Sequence, residues 1–195
     1  MYHISEDKRA VKSAELIWEG LEKCLAEKEL KKIRISDINE KSYVSRATFY
    51  RLFDSIGDVL IYRCDRIFAD LTVKMEQFTS SNDCFLFLIT RWLEEKVLIQ
   101  TLVENNLTGI LYDAQMRNSD LMKRIFLQDA VLTDCEADYL ISILTNIIPA
   151  AMSAWHIHGQ TEGPEDILQA AAKSMSLIAA ALDGTEPVQY KETWK

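Results

Sequence analysis

Apolar residues return every three or four positions through almost the whole chain, a spacing that suits helices and little else. Only three Pro and six Gly interrupt 195 residues. No run alternates apolar with polar residues as a half-buried strand does, and no Asn-Gly pair marks a hairpin. The expected fold class is all-α. At this length, with 48% hydrophobic residues, one domain or two small ones can bury a real core. No apolar run reads as long enough to span a membrane, and MYHISEDKRA lacks the apolar centre of a signal peptide. Cys24, Cys64, Cys84 and Cys135 lie far apart without metal-ligand spacing, so they read as reduced, mostly buried thiols. Together these features predict a cytoplasmic protein with no membrane partner.

The most informative stretch runs from Ser36 to Leu60, SDINEKSYVSRATFYRLFDSIGDVL. It predicts two short helices and a tight turn. The first begins at Ser36 or Asp37 and buries Ile38; Ser42-Tyr43-Val44 breaks it. Ser45 caps the second, whose inner side carries Phe49 and Phe53, four residues apart. The outer side keeps Arg46, Ala47, Thr48, Tyr50 and Arg51. Arg can bond a guanine edge or a phosphate bidentately, and Thr and Tyr hydroxyls hold phosphate oxygens. A small residue such as Ala47 lets the backbone come close to the bases. The expected DNA-binding residues are therefore Ser36, Ser45, Arg46, Ala47, Thr48, Tyr50 and Arg51.

The pattern Ile35-x-Asp37-Ile38, then Val44-Ser45-Arg46-x-Thr48-Phe49-Tyr50-Arg51-x-Phe53, then Asp58-x-Leu60, resembles the DNA-binding region of the TetR family of bacterial transcriptional regulators. The resemblance covers roughly the first third of the chain by motif and the remainder by architecture. It implies a helix-turn-helix head over residues 1–56 and a helical effector-binding and dimerisation body over residues 57–195. It also implies that the helix following the head carries movement between body and head. Three positions depart from the pattern: Tyr43 stands where the turn usually has Gly, Leu52 where a His is usual, and Ile56 where a Lys clamps phosphate. If the turn is left-handed, a residue with a Cβ is strained there by roughly 1–2 kcal/mol.

A formal charge of −8 sits badly with a DNA binder until it is divided along the chain. Residues 1–66 hold 13 Lys and Arg against 12 Asp and Glu, a balance of +1, while the remainder carries −9. The acidity therefore belongs to the part that need not approach phosphate. Ahead of the motif, Ala14, Ile17, Trp18, Leu21 and Leu25 predict a helix over 8–28, and Lys31, Lys32 and Arg34 follow it as a basic cluster. Further helices are expected over 57–79, with Asn82 or Asp83 capping the next, and over 84–95, 97–105 and 108–128.

Trp92, Tyr112, Met116, Met122 and Phe126 are large, adaptable side chains of the kind that line a pocket for a small apolar or amphipathic effector, and equally of the kind that fill a core. The last two helices, over 134–158 and 164–182, are apolar on two faces each, with a kink expected at Pro149. That is one face more than a monomer buries, and their sequence resembles the dimerisation pair of the same family. The expected interface of a homodimer is Ile148, Met152, Trp155, Ala171, Met175 and Ile178. The residues after Asp183 read as a loose tail.

The chain has no Ser-His-Asp set, no phosphate-cradling Gly loop and no CxxC pair. His156 and His158 diverge by about 200° on a helix, which argues against a shared metal. No enzyme activity, metal or cofactor is expected. The sequence-level expectation is a dimeric repressor binding a near-palindromic double-stranded DNA operator under effector control. The rival is a ligand- or protein-binding module whose head has lost DNA binding.

Overall fold

The computed structural model describes residues 1–4, 7–75, 78, 80–127 and 131–184. Among the described residues the chain forms ten α-helices and no strand, an all-α architecture. Thr79, Gln128 and the tail beyond Gly184 lie outside the described residues. One buried apolar cluster runs without a break from Ala10 to Ile167, so head and body share a core.

Helix α1 (Lys8–Leu25) is capped by the Asp7 carboxylate, which accepts from the Arg9 amide at 3.0 Å, and buries Ala14, Ile17, Trp18 and Leu21. Helix α2 (Ile35–Ser42) lies closely against it. A Cβ added at Gly20 would stand 2.7 Å from Ser42 Cβ and 2.9 Å from the Ile38 carbonyl oxygen, so only glycine fits this crossing. The start of α2 is one residue earlier than the sequence suggests. Asp37 sits in its first turn and accepts from the Arg34 amide at 2.8 Å and from Lys28 Nζ at 2.7 Å. The Lys28 ammonium, then the Arg34 amide, hold its carboxyl below the usual range.

Helix α3 (Arg46–Leu52) follows the turn, and α4 (Ile56–Met75) links head to body. A reciprocal pair opens α4: Ser55 N donates to Asp58 Oδ2 at 2.9 Å and Asp58 N donates to Ser55 Oγ at 3.2 Å. The body contains α5 (Ser81–Leu93), α6 (Lys96–Glu104), α7 (Gly109–Met116), α8 (Ser119–Phe126), α9 (Asp134–Ile157) and α10 (Pro164–Leu182). Ser80, rather than Asn82 or Asp83, caps α5 through its hydroxyl to the Asp83 amide. The single helix expected over 108–128 is two. Asn118 separates them by turning its own amide back to the Ala114 carbonyl at 3.0 Å, a local bond that competes with helix continuation.

Helix α9 runs through Pro149 from end to end. Proline has no N–H to donate, which strands the carbonyl four residues earlier, that of Thr145. Gln115 of α7 supplies the missing donor: its Nε2 reaches Thr145 O at 3.0 Å, and both side chains are fully buried. By length and composition α9 could also cross a membrane, which corrects the expectation that no run reaches that length. In the fold its inner side, including Ile141, Leu144, Ile148 and Met152, packs into the shared core.

Gln115→Leu should destabilise the protein by about 1–3 kcal/mol, because the Thr145 carbonyl loses its partner. In a Pro149→Ala background the helix regains its own amide donor there. Chemical denaturation of the four proteins of this double-mutant cycle should then show a clearly smaller penalty for Gln115→Leu.

Candidate nucleic-acid interface

The outer face of α3 is built from its inner one. Phe49, Leu52 and Phe53 are buried, and the Phe49 and Phe53 rings lie 5.8 Å apart. That anchoring leaves Arg46, Ala47, Tyr50 and Arg51 exposed, together with Ser45 and, on α2, Ser36. Ser45 Oγ accepts the Thr48 amide at 3.1 Å and shares a hydrogen bond with Thr48 Oγ1 at 2.9 Å. The Thr48 hydroxyl is thus half-buried and already engaged. The Arg46 guanidinium lies 5.5 Å from the centre of the Tyr50 ring, one helical turn along.

Near this face four lysines are paired and three arginines are not. Lys28, Lys31, Lys32 and Lys41 are each bound to a carboxylate, of Asp37, Glu29, Glu29 and Glu27 respectively. Among the described residues Arg34, Arg46 and Arg51 have no ion-pair partner. Arg34, Arg46 and Arg51 thus stand unpaired beside and along α3, while the other unpaired guanidinium of the head, Arg9, lies at the start of α1.

The turn that aims α3 is left-handed. Tyr43 has φ 57° and ψ 20°, and its side chain is 95% exposed. Both neighbours are tied down: Ser42 and Val44 are buried, and Ser42 Oγ accepts the Val44 amide at 3.2 Å. With its amide oxygen turned toward α3, Asn39 accepts the Arg46 amide and donates to the Ile35 carbonyl, each at 3.2 Å. Asn39 and the Ser42 hydroxyl were not identifiable from the sequence, since neither bond follows a spacing rule for capping. Of the other two departures, Leu52 is buried and fills the core, while Ile56 is half-buried at the first turn of α4.

Behind this face, α4 is bonded to both head and body. Arg63 holds Glu95 by two bonds, Nη2 to Oε1 at 2.6 Å and Nε to Oε2 at 3.2 Å. Its Nη1 reaches Glu15 of α1 at 3.4 Å, and the guanidinium lies over Trp18. Two residues on, Asp65 accepts from the Tyr2 hydroxyl at 2.8 Å and from Arg117 Nε at 3.1 Å. Burial, then that bond to Asp65, pushes the Tyr2 phenol up to about 12. No sequence spacing marks these partners, which meet only when α1, α4, α6 and α7 are assembled.

In the body, α9 and α10 form a long apolar groove of about 470 Å³. Trp155, Ala171, Met175 and Ile178 line it, while Ile148 and Met152 are 1% and 0% exposed and lie behind it in the core. None of Trp92, Tyr112, Met116, Met122 and Phe126 lines this groove. Trp92 and Met122 are buried, Phe126 packs on Phe85 at 4.6 Å, Met116 Sδ accepts from the Thr145 hydroxyl at 3.5 Å, and Tyr112 is half-buried.

No family model and no curated protein matches the sequence. Solved structures share its architecture, among them the following two. Lin0861 from Listeria innocua superimposes with a TM-score of 0.74 at 16% identity, covering 90% of this chain and 96% of its own. The dihydroxyacetone kinase operon activator DhaS gives 0.59 at 16% identity, covering 91% and 99%. The likeness is one of fold. It extends over head and body together, beyond the stretch that carries the motif.

Tyr43→Asn should raise stability by up to about 1 kcal/mol, since Asn adopts the left-handed region more readily and the phenol has no contact to lose. Equilibrium urea unfolding of the two proteins measures it, and an unchanged slope with a higher midpoint is the expected result.

Proposed function

We propose that this chain is a cytoplasmic, dimeric, DNA-binding transcription regulator of the TetR type, acting as a repressor under small-molecule control. The observation that carries the proposal is the exposed Arg46-Ala47-Tyr50-Arg51 face of a helix capped by Ser45 and anchored by Phe49 and Phe53. Its N-terminal residues are free to meet base edges in the major groove, as the second helix of a helix-turn-helix does. The fold shared with an operon activator, DhaS, supports a regulatory role.

The α9–α10 groove supports the homodimer. Ile167 is the only buried residue of α10, and Lys173 is its only charge between Ile167 and Leu182. Met175, Leu177 and Ile178 stand exposed on α10, as do Tyr139 and Ile143 on α9, forming an apolar surface that a second copy would cover. An effector among the large side chains of α5, α7 and α8 would act close to Met116, next to the Arg117 that holds Asp65 of α4. Movement there would pass to the heads through α4. No catalytic step forms part of the proposal.

Sedimentation at micromolar concentration should give about twice the chain mass of 22.4 kDa. Ala171→Glu should give monomers, because an unpaired charge in an apolar interface costs several kcal/mol. A wild-type monomer contradicts the dimer.

DNA binding is tested by fluorescence anisotropy on duplexes from upstream of the coding region. Arg46→Ala should weaken specific binding by about 1–3 kcal/mol and relax sequence preference. Ile56→Lys should tighten binding and steepen its salt dependence by about one counterion per half-site. Binding that is absent, and that Ile56→Lys does not restore, favours the interaction module. Tyr43, Leu52 and Ile56, the three departures from the pattern, are the observation behind that second reading.

A further inference from the structure

Three described residues other than glycine have positive φ: Tyr43, Asn106 and Gln160. Asn106 belongs to a type that tolerates the left-handed region, whereas Tyr43 carries a bulky aromatic there. Strain of this kind persists where the surroundings over-determine the backbone, and it gathers at functional sites. The surroundings of Tyr43 do so: Ser42 and Val44 are buried and bonded to each other, and Asn39 holds the Arg46 amide across the turn.

The chain itself gains nothing from the side chain placed there. At 95% exposure the phenol packs on no core residue, and no ring contact, hydrogen bond or ion pair engages it. It stands two residues before Ser45, in solvent beside the end of α3 from which Arg46 emerges. A helix that enters the major groove by its N-terminal end brings the preceding turn against the sugar-phosphate backbone, where Tyr hydroxyls are common donors.

We propose that Tyr43 is a DNA-backbone contact, its hydroxyl donating to a phosphate oxygen at the edge of the groove that α3 enters. This rests on the DNA-binding reading above. Tyr43 then supplies a phosphate anchor in a head whose Ile56 offers no cation. Being directed at phosphate, the contact adds affinity on every sequence and leaves base preference to Arg46.

The test compares wild type, Tyr43→Phe, Tyr43→Asn and Arg46→Ala by anisotropy at low salt. The probes are a duplex from upstream of the chain's own coding region and a random-sequence duplex of equal length. Tyr43→Phe should weaken binding to both duplexes alike, by about three- to tenfold. Tyr43→Asn should weaken it at least as much while melting no lower than wild type, so lost affinity cannot be lost folding. If both Tyr43 variants bind as tightly as wild type while Arg46→Ala binds more weakly, Tyr43 makes no DNA contact and the regulator reading stands. If wild type binds neither duplex, both proposals fail together.

Discussion

At the crossing of α1 and α2 a Cβ on Gly20 would stand 2.7 Å from Ser42 Cβ, and the posture of the outer helix depends on that missing atom. With hydrogen in its place, the end of α2 settles onto α1 and buries Ser42. The Ser42 hydroxyl then takes the Val44 amide, Val44 turns into the core, and the residue between them is left in the left-handed region. Asn39 closes the same corner from α2 by holding the first amide of α3. The direction of α3 thus follows from a chain of close contacts, each of which uses a small or short polar side chain. A larger residue at position 20 would separate the helices and disturb every later link.

Charge is organised by pairing rather than by excess. Lys28, Lys31, Lys32 and Lys41 are bound by nearby carboxylates, and Arg34, Arg46 and Arg51, which border α3, are left unpaired among the described residues. In the proposed function those arginines would act through their planar fork, which can meet a phosphate or a guanine edge with two bonds. Deeper in, the same chemistry serves as joinery: Arg63 joins α4 to Glu95 and Glu15, and Asp65 joins it to Tyr2 and Arg117. Helix α4 is thus held by directed bonds on both sides as well as by the core residues Leu60, Ile67, Phe68 and Leu71. The apolar surplus is left to α9 and α10, at the far end of the chain from the basic face.

Much of this was legible in the residues. Ser45 before an inner Phe49 and Phe53 marks the cap and the buried side of α3, and the three-four spacing marks α1, α4, α9 and α10. Boundaries set by side-chain bonds were less legible. Asp37 acts inside the first turn of α2 rather than at its cap, Ser80 takes the place of Asn82 or Asp83, and Asn118 splits a periodic run at a point where no Gly or Pro stands. Bonds between distant positions left no trace at all. Gln115 answers the amide that Pro149 lacks, and Arg63 meets Glu95 across 32 residues, so both appear only once the helices are packed. Ile148 and Met152 illustrate the same limit: periodicity marks an apolar face without saying whether it meets the chain's own core or another copy.

Hydroxyl-radical footprinting of the upstream duplex tests the proposed function most directly, because it reads geometry and binding at once. A symmetric pair of α3 helices should protect two patches on one face of the duplex, their centres about one or more whole helical turns apart, with the backbone between them cleaved normally. Protection of a single patch, patches on opposite faces, or no protection at any concentration that saturates nonspecific sites would contradict a dimer reading DNA through α3.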